Sequence, residues 1–193
     1  MVACRAAIDR ESVFCSVVFS RRTLIAGGGT MEQTATDAVV RCAYHEAGHV
    51  VMHLVTETPF DRVTIRLDGD AAGSATWNIG PSFYLNASLG SRSREVTALK
   101  RDAVLICLAG AAAEANAFWE YDEDGAVDDM ANAYRYSCYL SSDPGRYTQS
   151  KFQEARRLLL QHWDWVCTLH DALLENQTLT RDEVVSLLGL AQS

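Results

Sequence analysis

Ala43-Tyr44-His45-Glu46-Ala47-Gly48-His49 is the stretch on which the reading of this chain turns. It lies inside residues 35–56, which read as one helix: Ala38, Cys42, Ala43 and Ala47 give a small apolar face that Val50, Val51 and Leu54 extend. Thr34 or Thr36 is placed to cap its start, Asp37 falls in the first turn, and Thr56-Glu57-Thr58-Pro59 ends it. Residues four apart on a helix share a face, so His45 and His49 carry their imidazoles one turn apart. That spacing suits two ligands of a single zinc ion. Glu46 stands about 100° round the helix. There it is free of the metal and placed to take a proton from water attacking a peptide carbonyl. Gly48 costs about 1 kcal/mol against alanine in a helix interior, which points to another segment packed close against the backbone.

A catalytic zinc takes three protein ligands and keeps a fourth position for water. His53 follows His49 by four residues, but three ligands in line along one helix converge poorly on a tetrahedral ion, so it is a weak rival. A distant carboxylate is the better source. Residues 102–134 hold eight Asp or Glu and no Lys or Arg, and six of those acids fall between Glu120 and Asp129. Such a cluster is costly unless it is solvated or faces a cation. Composition leaves Glu114, Asp122, Asp124, Asp128 and Asp129 as candidates, against the plainer alternative of an acidic loop facing water.

Outward from the motif the period changes. Val63, Ile65 and Leu67 alternate with Thr64, Arg66 and Asp68, as in a strand; Asp68-Gly69-Asp70 reads as a turn and Gly73 to Ile79 as a second strand. Helical spacing returns over 93–119, with a break or bend expected at Gly110, and again over 127–140, closed by Asp143-Pro144-Gly145. Residues 149–175 read as the longest helix of this half, with Phe152, Ala155, Leu158, Leu159, Trp163, Val166, Leu169 and Leu173 recurring at three and four. Thr180-Arg181-Asp182-Glu183 is a capping box that opens a short final helix. The fold class is mainly α-helical (α+β): a zincin-like HExxH helix, a small β-sheet or ribbon, then a C-terminal helical bundle. Residues 1–33 read as a flexible or poorly defined N-terminal extension, in which Gly27-Gly28-Gly29 lacks the phosphate-loop pattern, and 34–193 as a single domain.

Composition excludes several classes of function. The chain has 193 residues, 48% hydrophobic and 22% charged, with three prolines, which is the make-up of an ordered globular protein. Its formal net charge of −8, from 25 acidic and 17 basic side chains, argues against broad nucleic-acid binding and against an anionic membrane surface as partner. Six cysteines, at 4, 15, 42, 107, 138 and 167, form no CxxC pair and read as reduced thiols of a cytoplasmic protein. No run approaches the roughly 20 apolar residues of a membrane span, and Asp9, Arg10 and Glu11 interrupt any signal-peptide core.

Taken in order, these motifs resemble the peptidase domain of the FtsH-type ATP-dependent zinc metalloproteases. Ala43 to His49 is similar to that family's metal helix, and Val63-Thr64-Ile65, with Gly73 and Thr76, to the strand segment after it. Leu108-Ala109-Gly110-Ala111-Ala112-Ala113-Glu114 resembles a stretch that normally reads leucine, two glycines, arginine, two alanines and glutamate. Gly125-Ala126-Val127-Asp128-Asp129-Met130 resembles the one that supplies the third zinc ligand. The tail agrees through Ala155-Arg156, Leu159-Leu160, Leu169, Leu173-Leu174, Leu179 and Glu183-Val184, so the likeness covers about residues 35–190.

The resemblance implies His45, His49 and Asp129 as ligands of Zn2+ and Glu46 as general base. Asp128 stands where the family has asparagine, which keeps Asp128 against Asp129 open on spacing alone. Ala111 stands where the family has arginine, so whatever that arginine steadies is lost or supplied elsewhere. Family members also carry an ATPase module and a membrane anchor; about 35 residues precede the peptidase-like part here and hold neither motif. The implied activity is that of a zinc-dependent peptidase or endopeptidase acting on flexible or unfolded polypeptides without its own ATPase, as a homo-oligomer or with a separate unfoldase chain. The rival is a catalytically weak or inactive zinc-binding adaptor. An extended substrate is expected along the strand at Val63–Leu67. Tyr44 and Tyr121 are candidate oxyanion donors, while Trp163, Trp165, Phe118 and Trp119 read as core or interface residues.

Overall fold

The computed structural model describes residues 31–65 and 94–190, with side chains from Asp37 onward. The N-terminal glycines, the turn at 68–70, the second strand at 73–79 and Leu67 lie outside the described residues. Within them the order is α1 (Met31–Val55), β1 (Arg62–Thr64), α2 (Arg94–Phe118), α3 (Val127–Leu140), α4 (Pro144–Gln161), α5 (Trp163–Asn176), β2 (Thr178–Thr180) and α6 (Arg181–Leu187). The described residues are thus mainly helical, with one two-stranded ribbon among them.

The middle of the molecule is α2, which packs against α1, α3 and α4. Every residue from Ala103 to Ala115 is buried, which is why this stretch carries no charge until Glu114. The break considered at Gly110 does not occur; α2 runs unbroken through it. Small residues serve close approach instead. A Cβ at Gly48 of α1 would lie 2.5 Å from the Ala109 carbonyl oxygen and 2.6 Å from the Ala113 Cβ of α2, so the close packing inferred at Gly48 is present. With Ala43, Ala47, Ala109, Ala112 and Ala113 fully buried, the two helices meet almost backbone to backbone.

Three other expectations need correction. The first helix is already formed at Met31, the first described residue, so Thr34 and Thr36 lie inside it rather than capping it. Residues 149–175 are two helices, not one. The chain turns at His162, whose N–H bonds back to Leu159 O at 3.1 Å and whose own carbonyl starts the next helix by accepting from Trp165 and Val166. A single helix over 149–175 would be roughly 40 Å long; the turn folds α5 back against α1, where Trp163 stacks on Tyr44 at 6.0 Å. Asp143-Pro144-Gly145, read as a stop, is also a start: Asp143 caps α4 by accepting from Arg146 N–H at 3.1 Å, with Pro144 in the first turn.

Among the described residues β1 pairs with β2, antiparallel, with Val63 opposite Leu179. Thr64 and Thr178 join hydroxyls at 2.9 Å, so one edge of β1 is already paired. The capping box at Thr180 forms as expected: the Glu183 carboxylate accepts from Thr180 N–H at 2.7 Å and Thr180 Oγ1 accepts from Glu183 N–H at 3.4 Å. Trp163 and Trp165 pack partly buried on the core, but Trp119 is 84% exposed in a left-handed turn at φ 67°, so it is no core residue. No described helix is long and apolar enough to cross a membrane.

Candidate metal centre

One helix and the start of another bring three donors together. Residues His45 and His49 project from the buried half of α1, their ring centroids 4.8 Å apart. Asp129 comes from the first turn of α3, where free backbone N–H groups favour a carboxylate. Its Oδ2 lies 3.1 Å from Nε2 of His45 and 3.1 Å from Nε2 of His49. All three donor atoms fall within 4.8 Å of one another. Two ligands each about 2 Å from a tetrahedral ion stand about 3.3 Å apart, so the set fits a zinc-sized ion. Two imidazoles and a carboxylate are also the donor types of a catalytic zinc, and they leave one position open.

The far sides of both rings are engaged. Nδ1 of His49 donates to the Ile106 carbonyl of α2 at 2.8 Å, and Nδ1 of His45 donates to Glu114 Oε1, also on α2, at 2.7 Å. A carbonyl can only accept, and an ionised carboxylate can only accept. Both imidazoles therefore carry a proton on Nδ1 and present Nε2 to Asp129, the edge that such outer partners leave for a metal. Burial works against charge on His45, but the hydrogen bonds to Asp129 and Glu114, with the charge of Glu46 nearby, outweigh it and carry its pKa up to about 10. Burial likewise pushes the Asp129 carboxyl up, yet the His49 imidazole and the hydrogen bonds from both rings hold it well below the usual carboxylate range.

Glu46, only 5% exposed, and His45 open together onto a cleft of about 810 Å3 that Arg41, Cys42, Phe118, Tyr121 and Asp122 also line. Glu46 thus sits beside the donor cluster without belonging to it. Cys42 is no nucleophile: burial, helped by the charges of Glu46 and Glu114, pushes its thiol up to about 12. Tyr44 is enclosed by rings, stacked on His170 at 4.0 Å and edge-on to Phe118 at 5.4 Å, so it packs. Tyr121 stays on the cleft.

The remaining ligand candidates separate from the cluster. His53 sits in the last turn of α1, its Nδ1 3.3 Å from the Thr58 carbonyl and its ring against Phe60. Asp128 is exposed on another face of the α3 turn, and Asp122 and Asp124 are exposed in the loop before it. Glu114 is close by, but as the acceptor for His45 rather than a fourth donor. Arg41, the Ile106 carbonyl and Gly110 are parts of the arrangement that sequence reasoning did not find. Only Arg41 carried a signal, since it stands four residues before His45 on the same face. The acidic segment is not without a cation after all: Arg41 pairs with Glu114 at 3.1 Å and Glu120 at 3.3 Å.

No family model matches the chain. Its sequence is similar to ATP-dependent zinc metalloprotease FtsH 2 of Methylacidiphilum infernorum (isolate V4), 27% identical over 190 residues, a match covering 76% of this chain and 28% of that protein. It is also similar to ATP-dependent zinc metalloprotease FTSH 9, chloroplastic/mitochondrial, of Oryza sativa subsp. japonica, 25% identical over 180 residues, covering 76% of this chain and 21% of that protein. The match therefore spans roughly a quarter of these relatives' length. A distant homology to FtsH-type zinc metalloproteases thus coincides, in a mainly helical fold, with a His-His-Asp cluster able to hold a metal ion.

Proposed function

We propose that residues 34–193 act as a single metallopeptidase domain that hydrolyses flexible or unfolded polypeptides, with His45, His49 and Asp129 as the zinc ligands and Glu46 as general base. The observation that carries this reading is the convergence of two Nε2 atoms on one carboxylate oxygen, each at 3.1 Å, while both Nδ1 positions are occupied by acceptors. A bound zinc would supply Lewis acidity toward the scissile carbonyl and make water more acidic.

The chain's own groups then have distinct tasks. Glu46 takes the proton from the attacking water and returns it to the departing amine, from a buried position on the cleft wall. Glu114 and the Ile106 carbonyl keep the two imidazoles turned so that Nε2, not Nδ1, faces inward. Both relatives are named ATP-dependent, and the present reading gives this domain the hydrolytic step, with any unfolding done by a separate chain or before the substrate arrives.

Zinc content and cleavage of an unfolded protein such as casein test this together. The wild-type protein is expected to bind about one zinc and to cleave. Glu46→Gln is expected to keep its zinc and lose about 100-fold or more in turnover; equal turnover in that variant removes Glu46 from the mechanism. Asp129→Ala is expected to lose zinc. Zinc retained with no cleavage of any unfolded substrate by the wild-type chain turns the reading to an adaptor.

A further inference from the structure

Glu114 is a carboxylate with a side chain only 3% exposed, and its two oxygens are divided between tasks. Oε1 accepts from Nδ1 of His45 at 2.7 Å. Oε2 accepts from Arg41 Nη1 at 3.1 Å and from the backbone N–H of Asp122 at 2.9 Å. A buried carboxylate needs such partners to stay in place. The segment that carries Glu114 has no Lys or Arg from 102 to 134, so the cation comes from another helix.

We infer that Arg41 is a positioning residue of the metal centre: it pins Oε2 of Glu114, and so aims Oε1 at the His45 imidazole and orients Nε2 toward Asp129. This rests on the metal-site reading above. Arg41 lies one turn before His45 on the same face of α1, so the guanidinium and the imidazole it serves are held by one stretch of backbone. Its plane is fixed from three sides: Glu114, Glu120 Oε1 at 3.3 Å, and the Phe118 ring, whose centroid lies 4.7 Å from the guanidinium carbon. The planar fork allows the Glu114 and Glu120 contacts at once, where an ammonium makes a single point contact. The Glu120 contact is at the rim, on a side chain 75% exposed, and contributes little. The Glu114 contact is the one that reaches the metal ligand.

The test measures zinc affinity by competition against a chromogenic chelator, the visible spectrum of the Co2+-loaded protein, and the His45 Nδ1 proton by NMR in the zinc-loaded protein. Arg41→Gln is expected to weaken zinc binding about tenfold or more, to alter the Co2+ spectrum and to broaden the Nδ1 signal by faster exchange. Arg41→Lys, which keeps the charge, is expected to fold as the wild type does and to recover most of the affinity and the signal. Glu120→Gln is expected to bind zinc within about twofold of wild type, as removal of an exposed pair should. Wild-type affinity, spectrum and Nδ1 signal in Arg41→Gln overturn the proposal, and so does an equal loss in Glu120→Gln, which would make Arg41 a rim staple. Failure of the wild-type chain to bind zinc is a different result: it removes the metal site itself, and the role of Arg41 with it.

Discussion

Gly110 of α2 lies directly beneath the imidazole of His45: a Cβ at that position would overlap Nε2 and Cδ2 of the ring and sit 2.6 Å from Cε1. The absence of a side chain on one helix is what gives the ligand on the other its place. Any displacement of the ring breaks its contacts, because Glu114 holds Nδ1 and Asp129 meets Nε2.

Gly110→Ala should therefore act on the metal centre before the fold. The added methyl group forces the imidazole out of line with Asp129, while alanine is otherwise favourable in a helix. The expected outcome is native circular dichroism with zinc affinity reduced at least about tenfold, a loss of the size that misplaced ligands produce. Stoichiometric zinc at wild-type affinity would mean the ring can move without cost.

Gly48→Ala should do the reverse. Its Cβ would meet backbone, the Ala109 carbonyl oxygen at 2.5 Å, and not the end of a movable side chain. Only a separation of α1 from α2 relieves that contact, and overpacking of this kind costs about 1–3 kcal/mol. A urea melt is expected to show the loss of stability even with zinc saturating.

Glu114→Gln keeps the size of the side chain and removes its charge. The amide can still accept from His45 through its oxygen, but its NH2 then faces Arg41 and the Asp122 N–H, which are both donors. Zinc affinity is expected to fall by about 10–100-fold, more than in Arg41→Gln, since the group touching the ligand is altered directly. Chelator competition on the two variants gives the order, and an affinity equal to wild type would remove Glu114 from the centre.

These relationships mark what was legible in the sequence. The i, i+4 spacing of His45 and His49 placed both on one face, because helical periodicity is a local property. Asp129 emerged from an unpaired acidic stretch and from the resemblance of its surroundings. The pairing of β1 with β2 was hidden, because three residues, Thr178-Leu179-Thr180, show too little alternation to register, and the pair is brought together across the whole bundle. The turn at His162 was hidden for a different reason: the apolar spacing runs straight through it, from Leu159 to Trp163 and Val166, so periodicity cannot mark where the axis changes. Nor can a sequence show that the carbonyl of Ile106 meets His49, since every residue offers one. What the motif lacked was the second helix passing beside it.

His53 offers a test that does not depend on the metal. It is only 1% exposed, and burial, with the nearby His49 imidazole, pushes its pKa down to about 4, although the carbonyls of Thr58 and Pro59 pull the other way. In the unfolded chain a histidine titrates near 6.5. Between these values the unfolded chain binds the proton and the folded one does not, so acid favours unfolding. The contribution of a neutral His53 is present in full above about pH 6.5 and is lost as the pH falls to about 4; two and a half pH units correspond to about 3 kcal/mol. His53→Leu removes this one titration and leaves the carboxylates unchanged. Urea denaturation at a series of pH values from 7 to 4 is expected to show a shallower acid decline in the variant than in the wild type, even where the variant is less stable at neutral pH through loss of the Thr58 hydrogen bond. Parallel curves would mean that His53 takes up its proton without the helix end opening.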